Sequence, residues 1–521
     1  MKIFKQKYLL LLLLAGVLIS PGCGEDYLSK SKVHTSLDTD AFYQTEMHAE
    51  QAVTAMYSPL HWWGQFKRFR YLLGFMSGDL EITSGGFHFT EFGDFGYNAS
   101  TASYIRHAWQ SSFVGIQRAN TVLEKVPGIY FYPENKEVQE RYLAEAHFMR
   151  AFYNFQLVRF YGGVPIYDRT FTGSLEDELF QPKRNTVDEV YEFIYADLEK
   201  AMEILPVSYE GKDIGRPTKG AAAGYLAKAY MFQGEYSKAH AILKDMVGGK
   251  YGQYELMEDF SDNFTRYNEN NAESVFEIQF MSGFGSPWPD MDAPNASKAL
   301  WLATAIDPGQ FANGLPSPEL NDFFDAHPNE SGVRRMYTIA RPGDVWGDWN
   351  PIAKDPVAAG QWTNRTEEGS WSGGVCGVRK YAEGTDVEGF VQSGINFRAL
   401  RYADILLLYA EAENELNGPT QIAIDAINQL RTRAQADLLD GTFTQEEFFE
   451  KIVIERRLEL SLEYHRFFDL TRWSKHKTNL PAMADINKVL ESTNYRPGKE
   501  LFPIPLNDIL RNPNLKQNPG Y

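Results

Sequence analysis

The sequence predicts a mostly α fold, a tetratricopeptide-like scaffold of helical hairpins interrupted by an irregular, aromatic-rich loop insertion. Three observations predict it. Apolar residues recur at helical spacing in 41–59, 104–126, 136–161, 186–205, 218–233, 236–247, 400–416, 420–436 and 444–470. Two neighbouring pairs of these segments repeat one hairpin plan. Between them, over roughly 255–395, helical periodicity gives way to Trp, Gly, Pro, Asn and Asp. A hydrophobic content of 43% supplies a large core.

In chain order, Lys2, Lys5 and Lys7 precede an apolar run from Tyr8 to Ile19. Twelve residues make about 18 Å of helix, too short for a bilayer core of about 30 Å. A basic start, a short apolar run and small residues behind it read as an export signal over 1–22. Cleavage after Ser20-Pro21-Gly22 would leave Cys23 at the new N-terminus, the position that bacterial lipoproteins acylate. Cys23 is therefore the expected lipid anchor, although a lipobox prefers an aliphatic residue where Ser20 stands. Residues 23–40 are polar and read as a tether.

Residues 41–254 form the N-terminal helical part, with Pro206, Pro217 and Gly234 as stops. In 218–247, Ala222, Ala223 and Ala227 allow close helix approach, Gly234 turns the chain, and Tyr236, Ala239 and Leu243 begin a second helix. Residues 401–434 repeat the plan around Gly418-Pro419. A patch at 78–100 interrupts the helical part with Phe87, Phe89, Phe92, Phe95 and Tyr97 among glycines and polar residues. The insertion 255–395 holds Trp288, Trp301, Trp346, Trp349, Trp362 and Trp371, and a β-like run, SVFEIQF (274–280), that alternates. The C-terminal helical part, 396–521, completes the same scaffold. There Glu455, Glu459 and Glu463 share one helix face at i, i+4 spacing, with Arg456, Arg457, Arg466 and Arg472 to pair with acids. FPIP (502–505) and QNPGY (517–521) are expected to close the C-terminus against the scaffold.

The formal charge of −18 argues against nucleic acid as a partner, since phosphate backbones attract basic patches. Lys67-Arg68-Arg70 is the local basic cluster that could draw a polyanionic ligand instead of a neutral one. With Cys23 and Cys376 alone, no disulfide framework is available. No nucleophile elbow, P-loop, dinucleotide fingerprint or His-Glu-x-x-His motif occurs. The ten histidines are scattered, and His107 and His147 read as satisfied helix residues. DMDAPN (290–295) offers oxygen ligands for Ca²⁺, but Pro294 and the missing Gly break an EF-hand pattern. A non-catalytic protein without a cofactor is the expectation, with Ca²⁺ left open.

The ordered segments CGEDYL (23–28), AFYQTEMHAEQAVTAMY (41–57), AEAHFMRAFYNFQLVRFYGGVPI (144–166), GRPTKGAAAGYLAKAYMFQGEY (215–236), RYADILLLYAEAENELNG (401–418), ERRLELSLEYHRFFDLTRW (455–473) and LFPIPLNDILRNPNLKQNPGY (501–521) resemble the SusD/RagB family of outer-membrane nutrient-binding lipoproteins. The resemblance covers nearly the whole mature chain. It implies display on the cell's outer face and a SusC-like TonB-dependent outer-membrane channel as partner. Over that channel the protein would act as a lid that captures oligo- or polysaccharide. A RagB-like peptide binder with the same anchor and partner is the alternative.

A pyranose presents C–H faces that rest on aromatic rings, and hydroxyls that pair with Asp, Asn and Arg. The two irregular windows supply both. Trp288 and Trp301, then Phe87, Phe89 and Tyr97, are the candidates for ring stacking. Asp79, Asn98 and Arg379 are the candidates for hydroxyl bonding. Each ring has a structural alternative, a packed loop core. No binding motif transfers residue by residue from the family.

Overall fold

The structure, a computed structural model, describes residues 42–82, 89–100, 103–170, 181–282, 313–341, 376–381, 393–476, 494–496 and 498–521. The expected signal, Cys23, the tether, Phe87, Trp288, Trp301 and the 290–295 run lie outside the described residues. Among the described residues, no helix is long and apolar enough to cross a membrane.

Among the described residues, ten long helices carry the fold. They are α1 (Glu46–Tyr57), α2 (Ser103–Lys125), α3 (Lys136–Tyr161), α4 (Val187–Ile204), α5 (Lys219–Gln233), α6 (Tyr236–Val247), α8 (Tyr402–Asn417), α9 (Gln421–Arg433), α10 (Gln445–Leu460) and α11 (Arg466–His476), with α7 (Pro318–Ala326) shorter and inside the insertion. Local signals set their ends. Thr186 and Glu189 close a capping box on α4, and Thr444 and Glu447 do so on α10. Gly234 ends α5 in the left-handed region, at φ 72° and ψ 14°, where a Cβ would be strained.

Successive helices pack as neighbours from α1 through α6, and α6 then packs on α8, so the two hairpins of like sequence join into one stack. Small residues make the close approaches: a Cβ on Gly115 of α2 would fall 2.2 Å from the Tyr153 ring of α3. Tyr225 and the α3 residues Phe148 and Phe152 meet Phe276 of the insertion with ring centroids 5.1–6.2 Å apart.

The expected helix over 444–470 is two helices. The chain leaves α10 at Ser461, and Leu462 and Tyr464 take positive φ (64° and 65°), unusual for such side chains. Buried cations satisfy the carbonyls freed there. Lys380 Nζ donates to the Glu459 and Ser461 carbonyls, each at 2.9 Å, and Arg401 Nη2 donates to the Glu459 carbonyl at 2.9 Å. Glu463 therefore sits past the helix end rather than on the face of Glu455 and Glu459.

The pairing role expected of these residues holds. Glu459 meets Arg401 (2.6 Å), Arg433 (2.5 Å) and Arg334 (3.1 Å), and Glu455 meets Arg334 (2.6 Å) and Arg431 (2.8 Å). Arg456 pairs with Asp404 and Asp469, and Arg472 with Glu411 and Asp469. The guanidinium charges around Glu459 outweigh its burial and hold its carboxyl well below the usual range.

In the insertion and against it the strands are short. β1 (Leu80–Ile82) pairs with β3 (Gly314–Pro316), β2 (Ser274–Ile278) with β6 (Phe397–Arg401), and β4 (Ile339–Ala340) with β5 (Gly377–Val378), all antiparallel. SVFEIQF does form a strand, but Val275 to Ile278 are all buried, because scaffold aromatics cover one face and the Glu277–Arg398 pair fills the other. The C-terminal run closes on the scaffold as its Pro and Gly content predicts. Phe502 N donates to the Phe160 carbonyl at 2.7 Å, Asn518 Nδ2 donates to the Tyr161 and Phe502 carbonyls, and Arg184 Nη2 donates to Asn518 Oδ1.

Candidate functional site

Each of the two irregular windows contributes one strand to a single pair. Glu81 lies opposite Leu315 and Ile82 opposite Gly314, so the residues just before 83–88 abut those just after 283–312. Gly314 allows this closeness, since a Cβ there would lie 2.8 Å from the Phe75 ring. Ser317 fixes the register: its Oγ donates to the Gly78 carbonyl at 2.6 Å and its N donates to the Asp79 carbonyl at 3.0 Å. β5 packs on β3, and Ala340 lies opposite Gly377, so the residues that bound 342–375 join the same edge.

The candidate side chains separate into frame and surface. Phe89 is fully buried, edge-on to Tyr71 at 5.3 Å, with the Arg68 guanidinium 5.6 Å above its ring. Tyr97 is also fully buried, donating from Oη to the Lys499 carbonyl at 2.5 Å and stacked 6.2 Å from the C-terminal Tyr521. Burial pushes its phenol pKa well up. Both rings are packed loop core, the structural alternative, and neither offers a face to a sugar. Asp79 is buried, with Oδ1 3.1 Å from Arg457 Nη2 and 3.6 Å from Arg466 Nε. It pins the start of β1 to the C-terminal scaffold and bonds no ligand hydroxyl. Arg379 is buried too; its Nη1 donates to the Met336 carbonyl at 2.8 Å and its guanidinium lies 5.3 Å from the Tyr337 ring centroid.

Asn98 is exposed, and its Oδ1 accepts from Ser100 N (3.0 Å) and Ser100 Oγ (2.7 Å), closing an Asx turn. Of the described candidates it alone is placed at the surface.

The basic cluster is not a surface patch. Lys67, Arg68 and Arg70 are all buried, with Arg68 over Trp63 and Tyr104 (4.6 and 5.2 Å) and Arg70 over Phe66 (4.3 Å) while donating to Gln156 at 2.7 Å. His147 is satisfied, as expected, by Asp197 at 2.7 Å. Among the described residues, no three His, Cys, Asp or Glu side chains gather to hold a metal.

Three exposed residues near these windows escaped sequence reasoning. Glu81 is exposed on β1 between Leu80 and Ile82, and partial burial raises its carboxyl pKa. Tyr267 (53% exposed) lies in a loop tied by Asn270 to Gln279, two residues before the exposed Met281 and just ahead of 283–312. An aromatic alone in the polar run TRYNENN (265–271), with no apolar residue beside it, was the available signal for Tyr267.

A stacked helical scaffold that gathers the ends of long, polar, aromatic-rich segments on one edge defines a binding protein of the helical-repeat class. The chain belongs to the SusD family. Residues 230–521 match the model described as SusD family, and 82–231 match one described as starch-binding associating with outer membrane. Among curated relatives, SusD-like protein P2 of Formosa agariphila is 27% identical over 427 residues, covering 79% of this chain and 80% of the relative. Starch-binding protein SusD of Bacteroides thetaiotaomicron is 26% identical over 432 residues, 73% of each chain. A solved laminarin binding SusD-like protein superposes with a TM-score of 0.74 at 24% identity, covering 92% of this chain and all of that one. Surface glycan-binding protein A from Bacteroides thetaiotaomicron, in complex with laminarihexaose, gives 0.72 at 23% identity over the same shares. At such identities the structural likeness establishes the fold.

Proposed function

We propose that the protein is a cell-surface glycan-binding lipoprotein, non-catalytic, that captures oligo- or polysaccharide at the loop-bearing edge and passes it to a SusC-like TonB-dependent outer-membrane channel. One observation carries the reading. The pairing of Ile82 with Gly314 brings the two windows richest in loop aromatics to one edge of the scaffold, in a chain whose family includes a model described as starch-binding. The relatives supply the ligand class: one is named for starch and one for laminarin, both uncharged glucose polymers. Burial of Lys67, Arg68 and Arg70 supports a neutral glycan, since the basic cluster that could have recruited a polyanion is spent inside the core. Trp288 and Trp301 remain the proposed stacking residues, with Asn98 at the rim and Cys23 as the anchor that holds the chain to the outer membrane.

Calorimetric titration of the chain from residue 24 onward, against maltohexaose, laminarihexaose and a mixed-peptide digest, tests this. Saturable heat with a glycan, lost in Trp288→Ala or Trp301→Ala and accompanied by no new reducing ends, supports it. Heat with peptides and none with either glycan replaces it with the peptide-importing lid.

A further inference from the structure

A second hollow lies elsewhere on the scaffold. The end of α1, the 207–218 connection between α4 and α5, and β2 enclose two adjoining hollows of about 260 and 190 Å³. Ile214, Gly215, Arg216, Phe276 and Glu277 line both, so the two form one cleft with a waist. No residue of β1 or β3 contributes to it. The waist is built: Gly215 holds φ at 91°, and a Cβ there would fall 2.5 Å from Gln279 Cδ. Chain and strand end touch at that point because the residue has no side chain.

The charges in the walls are neutralised internally. Arg216 donates to Glu145 and to Asp213, each at 2.7 Å. Glu277 accepts from Asn270 N and Asn396 Nδ2, each at 2.9 Å, and lies 3.3 Å from Arg398. Lys212 at the mouth is paired with Glu50 at 2.7 Å. An ionic ligand would find no unmatched charge there and would lose hydration on entry.

The two ends differ in the way a sugar's two aspects differ. Ile214, 50% exposed, and the partly buried Tyr57 ring give the wider hollow its apolar wall, with Leu60 and Ile278 behind it. Ser208, Gln253 and Asn271 bring hydroxyl and amide groups to the narrower one. Together the hollows reach the lower end of the roughly 300–1,000 Å³ typical of small-ligand pockets. We propose that this cleft is a second saccharide site, taking one or two neutral pyranose units with their C–H faces on the apolar wall and their hydroxyls toward the amides. It shares only the ligand class with the loop-edge reading and stands on separate residues.

Saturation-transfer NMR with maltose and with laminaribiose tests it on the chain from residue 24 onward. The comparison is between wild type, Trp288→Ala/Trp301→Ala at the loops, and Thr54→Trp/Ser208→Trp, which fills the cleft from two exposed positions. Ser208→Trp alone, in a connection outside any helix, is the second variant if the pair fails to fold. The expected result is a sugar signal that survives in the loop variant and drops at least fivefold in a cleft-filling variant with unchanged circular dichroism. Signal unaffected by filling the cleft, lost entirely in the loop variant, or absent from wild type overturns the proposal. Only the failure of calorimetry with long glycans bears on the loop edge.

Discussion

Replacing Arg401 by Met should be among the most destabilising single changes in this chain that removes no apolar surface. The guanidinium is buried and makes five bonds to acidic or carbonyl oxygens. Nη1 reaches Glu273 and Glu459, both at 2.6 Å; Nε and Nη2 clasp Glu463 at 2.7 and 2.8 Å; and Nη2 also caps the Glu459 carbonyl. Without it, Glu459 retains Arg433 and Arg334, but among the described residues Glu463 retains only the Lys380 ion pair. Removing one partner of a buried pair costs about 3–5 kcal/mol, because the other charge stays desolvated. Urea unfolding followed by near-UV circular dichroism should show a loss in that range. A loss below about 1 kcal/mol would refute the view that this network is desolvated and ordered. The acid limb gives a second reading. Arg401 and Lys380 hold the Glu463 carboxyl at about 2, against about 4.3 when unfolded. A depressed folded pKa means stability that is present above the unfolded value and lost as pH falls from about 5 toward 2, on the order of 3 kcal/mol for this group. In Arg401→Met the Glu463 pKa rises, so that portion of the acid sensitivity shrinks. The stability gap between wild type and variant should therefore narrow below about pH 4. A gap equal at pH 3 and pH 7 would mean that Arg401 does not set the Glu463 charge.

Gly115→Val should destabilise by about 1–3 kcal/mol through overpacking, since its Cβ meets the Tyr153 ring at 2.2 Å and Tyr153 is held by its bond to the Met56 carbonyl; thermal unfolding measures it. Thr444→Ala should cost about 1 kcal/mol by opening the α10 capping box, seen as a lower urea midpoint with unchanged slope. Asn518→Ala removes the amide that bridges the Tyr161 and Phe502 carbonyls, so limited proteolysis should trim the C-terminal tail faster than in wild type. Unchanged cleavage would place the tail's attachment elsewhere.

What was legible in the sequence follows from how local its cause is. The helix ends at Thr186, Gly234 and Thr444 arise from residues within four positions, and each is read correctly from the sequence. The Asx turn that Asn98 makes with Ser100 has an equally local cause, although the sequence marks Asn98 only as a candidate for hydroxyl bonding. The break after Leu460 was not legible, because no Gly or Pro marks it and its capping cations, Lys380 and Arg401, lie some 60 to 80 positions away. The same holds for Lys67, Arg68 and Arg70: three adjacent charges look like surface, and only the rings of Trp63, Phe66 and Tyr104 reveal a buried cation–π cluster. In 78–100 there is no period to say which aromatic faces inward, so Phe89 and Tyr97 could not be told from ligand platforms by spacing.

The buried charges and the strand pairs belong to one construction. Asp79 leads into β1 and is held by Arg457, one turn from the ions of α10. Lys380 follows β5, Arg401 ends β6, Glu273 precedes β2, and Arg334 opens the short helix that leads into β4; all join Glu455, Glu459 or Glu463 or their partners. Thus members of the network flank strands in two of the three pairs, and the separate Asp79–Arg457 pair leads into the third. Strands of two to five residues bury too little apolar surface to fix their own register. Paired charges with directional bonds tolerate little sliding, so they specify one arrangement more strongly than they add to net stability. The short strands that flank the segments 83–88, 283–312 and 342–375 take that specification at their ends.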